Sequence, residues 1–156
     1  MTKVFKLDKI DKRILDILQK NSKLTNAKLA QMIGLSAAPT LERVKKLEQA
    51  GVITGYHARL DRKKIGLHVI TLALVSLKEQ NRVESEKFVE SVLTFPEIVS
   101  CYYLTGMADF LIKVVITDFA AYEDLIGKIN KGKGFSIQTL VVIDVKKQGE
   151  ELFIPK

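Results

Sequence analysis

The residues from Leu35 to Gly51 read LSAAPTLERVKKLEQAG, and their types fit one chemistry, contact with duplex DNA. Ser36, Ala38, Pro39 and Thr40 are short, so a helix starting here has a leading end slim enough to approach base edges and phosphates in a major groove. Ser36 at its start leaves helix-terminal amides suited to a phosphate, and Ala38 and Pro39 are placed for thymine methyl groups. One turn later Arg43 shares the outer face and is long enough for a bidentate contact to guanine, while Lys45 and Lys46 suit phosphates. The bland alternative is a solvated amphipathic helix in a three-helix bundle. A second group, Gly106 and Asp109 in YLTGMADFLIKV, brackets a short connection between two apolar runs, and on spacing alone it reads as a hairpin turn.

The elements around the first stretch favour DNA. LDKIDKRILDILQKNSK sets Leu7, Ile10, Ile14, Ile17 and Leu18 at helical spacing, with Asp8 as cap and Asp11 in the first turn. Thr25 starts a second helix, NAKLAQMI, with Ala27, Ala30 and Ile33 on one side, and Gly34 ends it in a left-handed turn. Ser36 then caps a third helix whose expected inward stripe is Ala37, Leu41, Val44 and Leu47, stopped by Gly51. Pro39 falls in its first turn, where a missing amide hydrogen costs little. Two short helices joined by a tight glycine turn after a longer supporting helix form a helix-turn-helix pattern. Thr25, Ser36, Ala38, Pro39, Thr40, Arg43, Lys45 and Lys46 make up the expected DNA-contact set.

Charge agrees with this. The chain of 156 residues carries +7, and the division is uneven. Residues 1–64 hold 15 Lys/Arg against 6 Asp/Glu, a net of +9, and the remainder holds 10 against 12, a net of −2. The first part is therefore built to face something anionic. Hydrophobic content of 47% is ordinary for a globular protein, and a chain of this size buries roughly two thirds of its unfolded surface without a disulfide or metal staple. One cysteine, Cys101, excludes an internal disulfide framework and fits a reducing cytosol. The opening residues do not read as a signal or transit peptide, and no apolar run approaches the ~20 residues of a membrane span, so a cytoplasmic location is expected.

VITGYHARLDRKKIG reads as a connecting strand and basic loop. Beyond it, HVITLALVSLK, EIVSCYYLT, DFLIKVVIT and SIQTLVVIDVKK read as strands, with helices over VESEKFVESVLTF and DFAAYEDLIGKIN. Strand, helix, strand, strand, helix, strand is the ferredoxin-like order, an antiparallel sheet with both helices on one face. The strands are apolar on both sides, so the uncovered face predicts a sheet-to-sheet homodimer, assembled further. The fold expected is thus α+β. It has an N-terminal three-helix, winged-helix-like helix-turn-helix domain over residues 1–52, a linker strand and hinge over 53–66, and a ferredoxin-like βαββαβ domain over 67–156.

GLSAAPTLERVKKLEQAGVI resembles the recognition-helix segment of the Lrp/AsnC (feast/famine) transcription regulators, and LDKIDKRILDILQKN resembles their opening helix. The resemblance runs through nearly the whole chain. It implies dimerisation through the second domain and linker strand, with assembly to tetramers or octamers. It also matches the Gly106–Asp109 turn to the family's Gly-x-x-Asp-aromatic motif, which lines an amino-acid effector pocket. Turn amides would hold the carboxylate and Asp109 the ammonium, with Thr105 and Met107 as neighbours and Gln138 and Thr139 supplied by an adjacent subunit. The chain departs from the family at Lys131–Phe135, KGKGF, where a Pro-Gly-Val type of turn is common.

KGKG lacks the spacing of a phosphate-binding loop, His57 and His68 with one cysteine suggest no zinc site, and no catalytic constellation is recognisable. The expectation is a non-enzymatic transcription regulator, without cofactor, that binds double-stranded DNA and answers to a small effector, an amino acid. The rival is a nucleoid-architectural protein with little sequence preference.

Overall fold

Asp8 starts the first helix, α1 (Lys9–Lys20), with a reciprocal cap. Its carboxylate accepts from the Asp11 amide at 2.7 Å, and the Asp11 carboxylate accepts from the Asp8 amide at 3.2 Å. Two amides that a helix start leaves without partners are thereby satisfied. The computed structural model describes residues 4–130, 134–147 and 151–155. It divides into two compact units, residues 1–59 with 147–156, and residues 60–146.

In the first unit α2 (Asn26–Ile33) is capped by Thr25, whose hydroxyl accepts from the Lys28 amide at 3.3 Å. Gly34 closes it at φ 76°, a left-handed conformation that glycine adopts without a Cβ clash. The third helix, α3 (Ala37–Gln49), follows after two residues. Ile14, Leu29, Ile33 and Leu47 form the centre of the core, with Leu7, Ile10, Leu18, Leu35 and Val44 packed around them. One expectation is corrected here. Ala37 and Leu41 are exposed, and Thr40 is fully buried, so α3 turns Thr40, Val44 and Leu47 inward. Burying a threonine is inexpensive at this site because its hydroxyl donates to the Ser36 carbonyl at 2.9 Å. The C-terminal residues also join this unit. The Gln19 side chain accepts from the Leu152 amide at 2.6 Å and donates to the Leu152 carbonyl at 3.2 Å, and Lys12 Nζ donates to the Pro155 carbonyl at 2.7 Å.

The connecting strand expected after Ile53 has no partner within the described residues of the single chain. Residues 54–61 carry no strand pairing there, and a strand exists only as part of a ladder. A single 3-10 turn, Arg62–Ile65, follows, capped by Asp61 and ended by Gly66.

The second unit contains β1 (Val69–Leu77), α4 (Arg82–Val92), β2 (Ile98–Tyr103), β3 (Phe110–Ile116), α5 (Phe119–Asn130) and β4 (Phe135–Val141). The sheet order is β2-β3-β1-β4 with every neighbouring pair antiparallel, the ferredoxin-like arrangement. Ala73 pairs with Ile112 on one side and Thr139 on the other. Ala73, Val75, Phe110, Ile112 and Val114 face Phe88 and Val92 of α4 and Tyr122, Leu125 and Ile129 of α5. The Phe88 ring lies 4.7 Å from Phe110 and 5.4 Å from Phe135. Strand alternation sends Leu72, Leu74, Leu111 and Val115 to the opposite face, half-buried, with Tyr102 and Leu140 exposed beside them. Cys101 packs against the helix-side core, and burial pushes its thiol above the ordinary range.

Candidate functional site

The outward face of α3 carries Ala38, Pro39, Lys45 and Lys46, all exposed, together with Leu41 and Glu42. Ser36 occupies the N-cap position but makes no capping hydrogen bond with its side chain, contrary to the expected cap. The amides of the first turn are therefore not answered by a cap side chain, the arrangement that suits an incoming phosphate. Asn26 fixes this end of the helix by donating from Nδ2 to the Ala37 carbonyl at 2.7 Å. Lys45 sits 3.6 Å from Glu42, and Lys46 extends over the Phe5 ring at 5.6 Å. Thr25 remains exposed at the start of α2, its hydroxyl engaged as a cap.

Two of the expected DNA contacts are placed differently. Thr40 is fully buried under its own helix turn and presents nothing outward. Arg43 is turned toward α1, where Nη1 donates to Asp8 Oδ2 at 2.6 Å and to Asp11 Oδ1 at 2.7 Å. Asp11 is only 5% exposed, and a buried carboxylate needs a countercharge. Arg43 supplies it and fastens α3 to α1. The Asp11 backbone amide and then the Arg43 guanidinium hold the Asp8 carboxyl below its ordinary value, and the two carboxylates raise Arg43 above its own. Sequence alone could not show this pairing, since the partners lie 35 and 32 positions away.

In the second unit the connection after β2 turns at Gly106, φ 123°, where the left-handed backbone itself favours glycine. Leu104 donates to the Asp109 carbonyl at 2.8 Å, and Asp109 donates to the Val75 carbonyl at 2.9 Å. Asp109 Oδ2 accepts from the Leu77 amide at 2.7 Å, so this carboxylate continues the β1–β3 ladder beyond its last paired residues. A cavity of about 260 Å³ lies beside the turn, lined by Leu74, Ser76, Met107, Ala108, Ser136 and Gln138. It unites Met107 and Gln138 from the expected effector set. Thr105 and Gly106 are exposed outside its wall. Thr139 points to the other face of β4, where its hydroxyl shares a 2.6 Å hydrogen bond with Tyr122 of α5. Consecutive strand residues face opposite sides, so Gln138 and Thr139 do not enter one pocket of a single subunit. Asp109 lines a separate cavity on the α4 side. The KGKGF departure falls mostly on residues 131–133, outside the described residues.

Among the described residues, no cluster of His, Cys, Asp or Glu is placed to hold a metal, and no helix is long and apolar enough to cross a membrane.

Comparison with known proteins assigns both units. Residues 7–54 match the winged helix-turn-helix DNA-binding family, and residues 71–152 match the Lrp/AsnC ligand binding domain. The transcriptional regulator AzlB of Bacillus subtilis is 35% identical over 144 residues, covering 91% of this chain and 92% of its own length. An AsnC family transcriptional regulator from Agrobacterium tumefaciens superposes with a TM-score of 0.89 at 32% identity, covering 94% of this chain and 96% of its own. A Neisseria meningitidis transcriptional regulator in complex with L-methionine superposes with the same TM-score, 0.89, at 33% identity and with the same coverage, 94% and 96%. This chain belongs to the Lrp/AsnC family, transcription regulators that join a DNA-binding helix-turn-helix to a small-molecule-binding domain.

Proposed function

We propose that α3 enters the major groove with Ser36, Ala38 and Pro39 leading, Lys45 and Lys46 gripping phosphates, and Arg43 holding the helix to α1 rather than reading a base. The observation that carries this is the slim, side-chain-uncapped start of α3 with lysines about two turns behind, within a segment of net charge +9 (15 Lys/Arg less 6 Asp/Glu over residues 1–64). The effector is an amino acid bound beside the hairpin in the cavity that Met107 and Gln138 line, and it changes assembly or DNA affinity by favouring one arrangement over another. The L-methionine complex of the Neisseria regulator supports that ligand class. The apolar sheet face away from the helices supports a homodimer that builds to a tetramer or octamer. The protein acts in the cytoplasm and has no enzymatic role.

The test pairs DNA titrations of the intact protein with a thermal-shift screen against the twenty amino acids. One preferred duplex and one stabilising amino acid, lost in Gln138→Ala, are the expected results. A ligand at 100 times its dissociation constant adds roughly 2.7 kcal/mol to the form that binds it, a readily measured shift. Withdrawal of Arg43 from the reading face also favours a second reading, architectural binding with little sequence preference. Equal affinity for all duplexes with a steep salt dependence would select it.

A further inference from the structure

A cavity of about 560 Å³ lies between α4 and the end of the β2–β3 hairpin, apart from the cavity proposed above for the effector. Its volume lies within the range of small-molecule sites. Val89 and Phe110 form its floor, and the Tyr103 ring stands at the rim, 72% exposed and 5.1 Å from Phe110. Around this aromatic and apolar surface are the carboxylates of Glu86, Glu90 and Asp109 and a single guanidinium, Arg82, so the wall is net negative. Arg82 is already occupied, its Nε donating to Glu86 at 2.7 Å. Asp109 spends one oxygen on the Leu77 amide. Glu90 is exposed on the same wall. A carboxylate beside an open aromatic face is the chemistry that recognises an organic ammonium, by charge-assisted hydrogen bonds and by the ring quadrupole.

We propose that this cavity is a second ligand site, taking a small primary ammonium that carries an apolar chain or ring. The ammonium sits between Glu90 and the Tyr103 ring, and the apolar part covers Val89. Both amines and apolar amino acids have this chemistry. They differ in needing a carboxylate partner, which Arg82 provides once it leaves Glu86.

Isothermal titration of the intact protein with phenethylamine and with L-phenylalanine tests the site. Glu90→Gln, which keeps the shape and removes the charge, should weaken both by about tenfold, the loss of one charge-assisted hydrogen bond. Ser85→Leu lengthens a side chain that lines the cavity on a helix that tolerates leucine, and it should abolish both. Arg82→Gln should weaken L-phenylalanine alone if the guanidinium holds the ligand carboxylate, and neither probe if the site engages only the ammonium and the apolar part. Gln138→Ala should leave phenethylamine binding intact. The proposal is overturned if neither probe binds at roughly millimolar concentration, or if binding survives both Ser85→Leu and Glu90→Gln. Binding lost in Gln138→Ala and untouched by Ser85→Leu would overturn this site while sustaining the hairpin pocket.

Discussion

Replacing Arg43 with alanine separates a fastening role from a base-reading one. In the structure one guanidinium nitrogen holds Asp8 at 2.6 Å and Asp11 at 2.7 Å. Removing one partner of a fully buried ion pair costs about 3–5 kcal/mol, whereas an exposed pair is worth up to about 1 kcal/mol. The site is intermediate, because Asp11 is nearly enclosed at 8% side-chain exposure while Arg43 is exposed to 32% and Asp8 to 51%. Asp11 also keeps its hydrogen bond from the Asp8 amide after the change. The expected loss is therefore about 1–3 kcal/mol. With a urea slope of roughly 1–3 kcal/mol per molar, the midpoint should fall by about 1 M, followed by circular dichroism. A cycle with Asp11→Asn should return a coupling of about 0.5–3 kcal/mol, because the two residues share one network.

The same contact has a pH signature. The Asp8 carboxyl is held below its ordinary 3.8, first by the Asp11 amide and then by Arg43. A carboxyl whose folded value is depressed contributes stability that is whole above the unfolded value and fades as pH drops through the folded one. Arg43→Ala should remove part of that acid sensitivity below about pH 4 and leave the part owed to the amide. The reasoning is refuted if Arg43→Ala stays within about 0.5 kcal/mol of the parent at neutral pH while its preference for a target duplex collapses. Those two results together would put the guanidinium on a base in the complex.

Lys45→Ala should weaken all duplexes alike and lower the salt slope by about 0.9, read by anisotropy titrations over salt; an uneven loss across sequences would make Lys45 a base reader. Asp109→Ala leaves the Leu77 amide without its acceptor and should cost about 1–3 kcal/mol with faster exchange of that amide, whereas Asp109→Asn retains an oxygen and most of the stability. Tyr122→Phe removes the bond to Thr139 and should cost about 0.5–1.5 kcal/mol in urea unfolding without changing effector affinity. A large loss of effector affinity in that variant would return Thr139 to the ligand site.

Signals that are local in sequence were legible. Asp8 and Thr25 cap helices from the residues they immediately precede, Gly34 ends one at a left-handed turn, and the six elements of the second unit follow their apolar runs. The rotation of α3 was not legible, because Leu41 and Thr40 both fit a helical period and hydrophobicity favours leucine inside. What decides it is a hydroxyl that satisfies itself on the Ser36 carbonyl, which frees threonine to be buried. Arg43 looked outward for a related reason, since its carboxylate partners belong to another helix. A strand after Ile53 needs a second strand, and the described residues of the single chain place none beside it. Gln138 and Thr139 differ in kind from these cases, because the alternation of β4 already sends neighbours to opposite faces. The cavity under α4 depends on how helix, hairpin and sheet meet, and no short pattern announces it.

Asp109 shows why one hairpin serves two surfaces. Its carboxylate accepts from Leu77 at the end of β1, where Leu77 is also paired with Phe135 of β4. The neighbouring β1 residues Leu74 and Ser76 line the cavity that also holds Met107 and Gln138, while Asp109 itself lines the one under α4. The two cavities thus lean on a single strand end from opposite faces of the sheet. A ligand on either face bears on the other only by preferring one placement of that strand end, and the preference is reciprocal. The ladder bond to Leu77 opposes such movement, since freeing a half-buried amide costs about as much as a typical coupling energy, 1–3 kcal/mol.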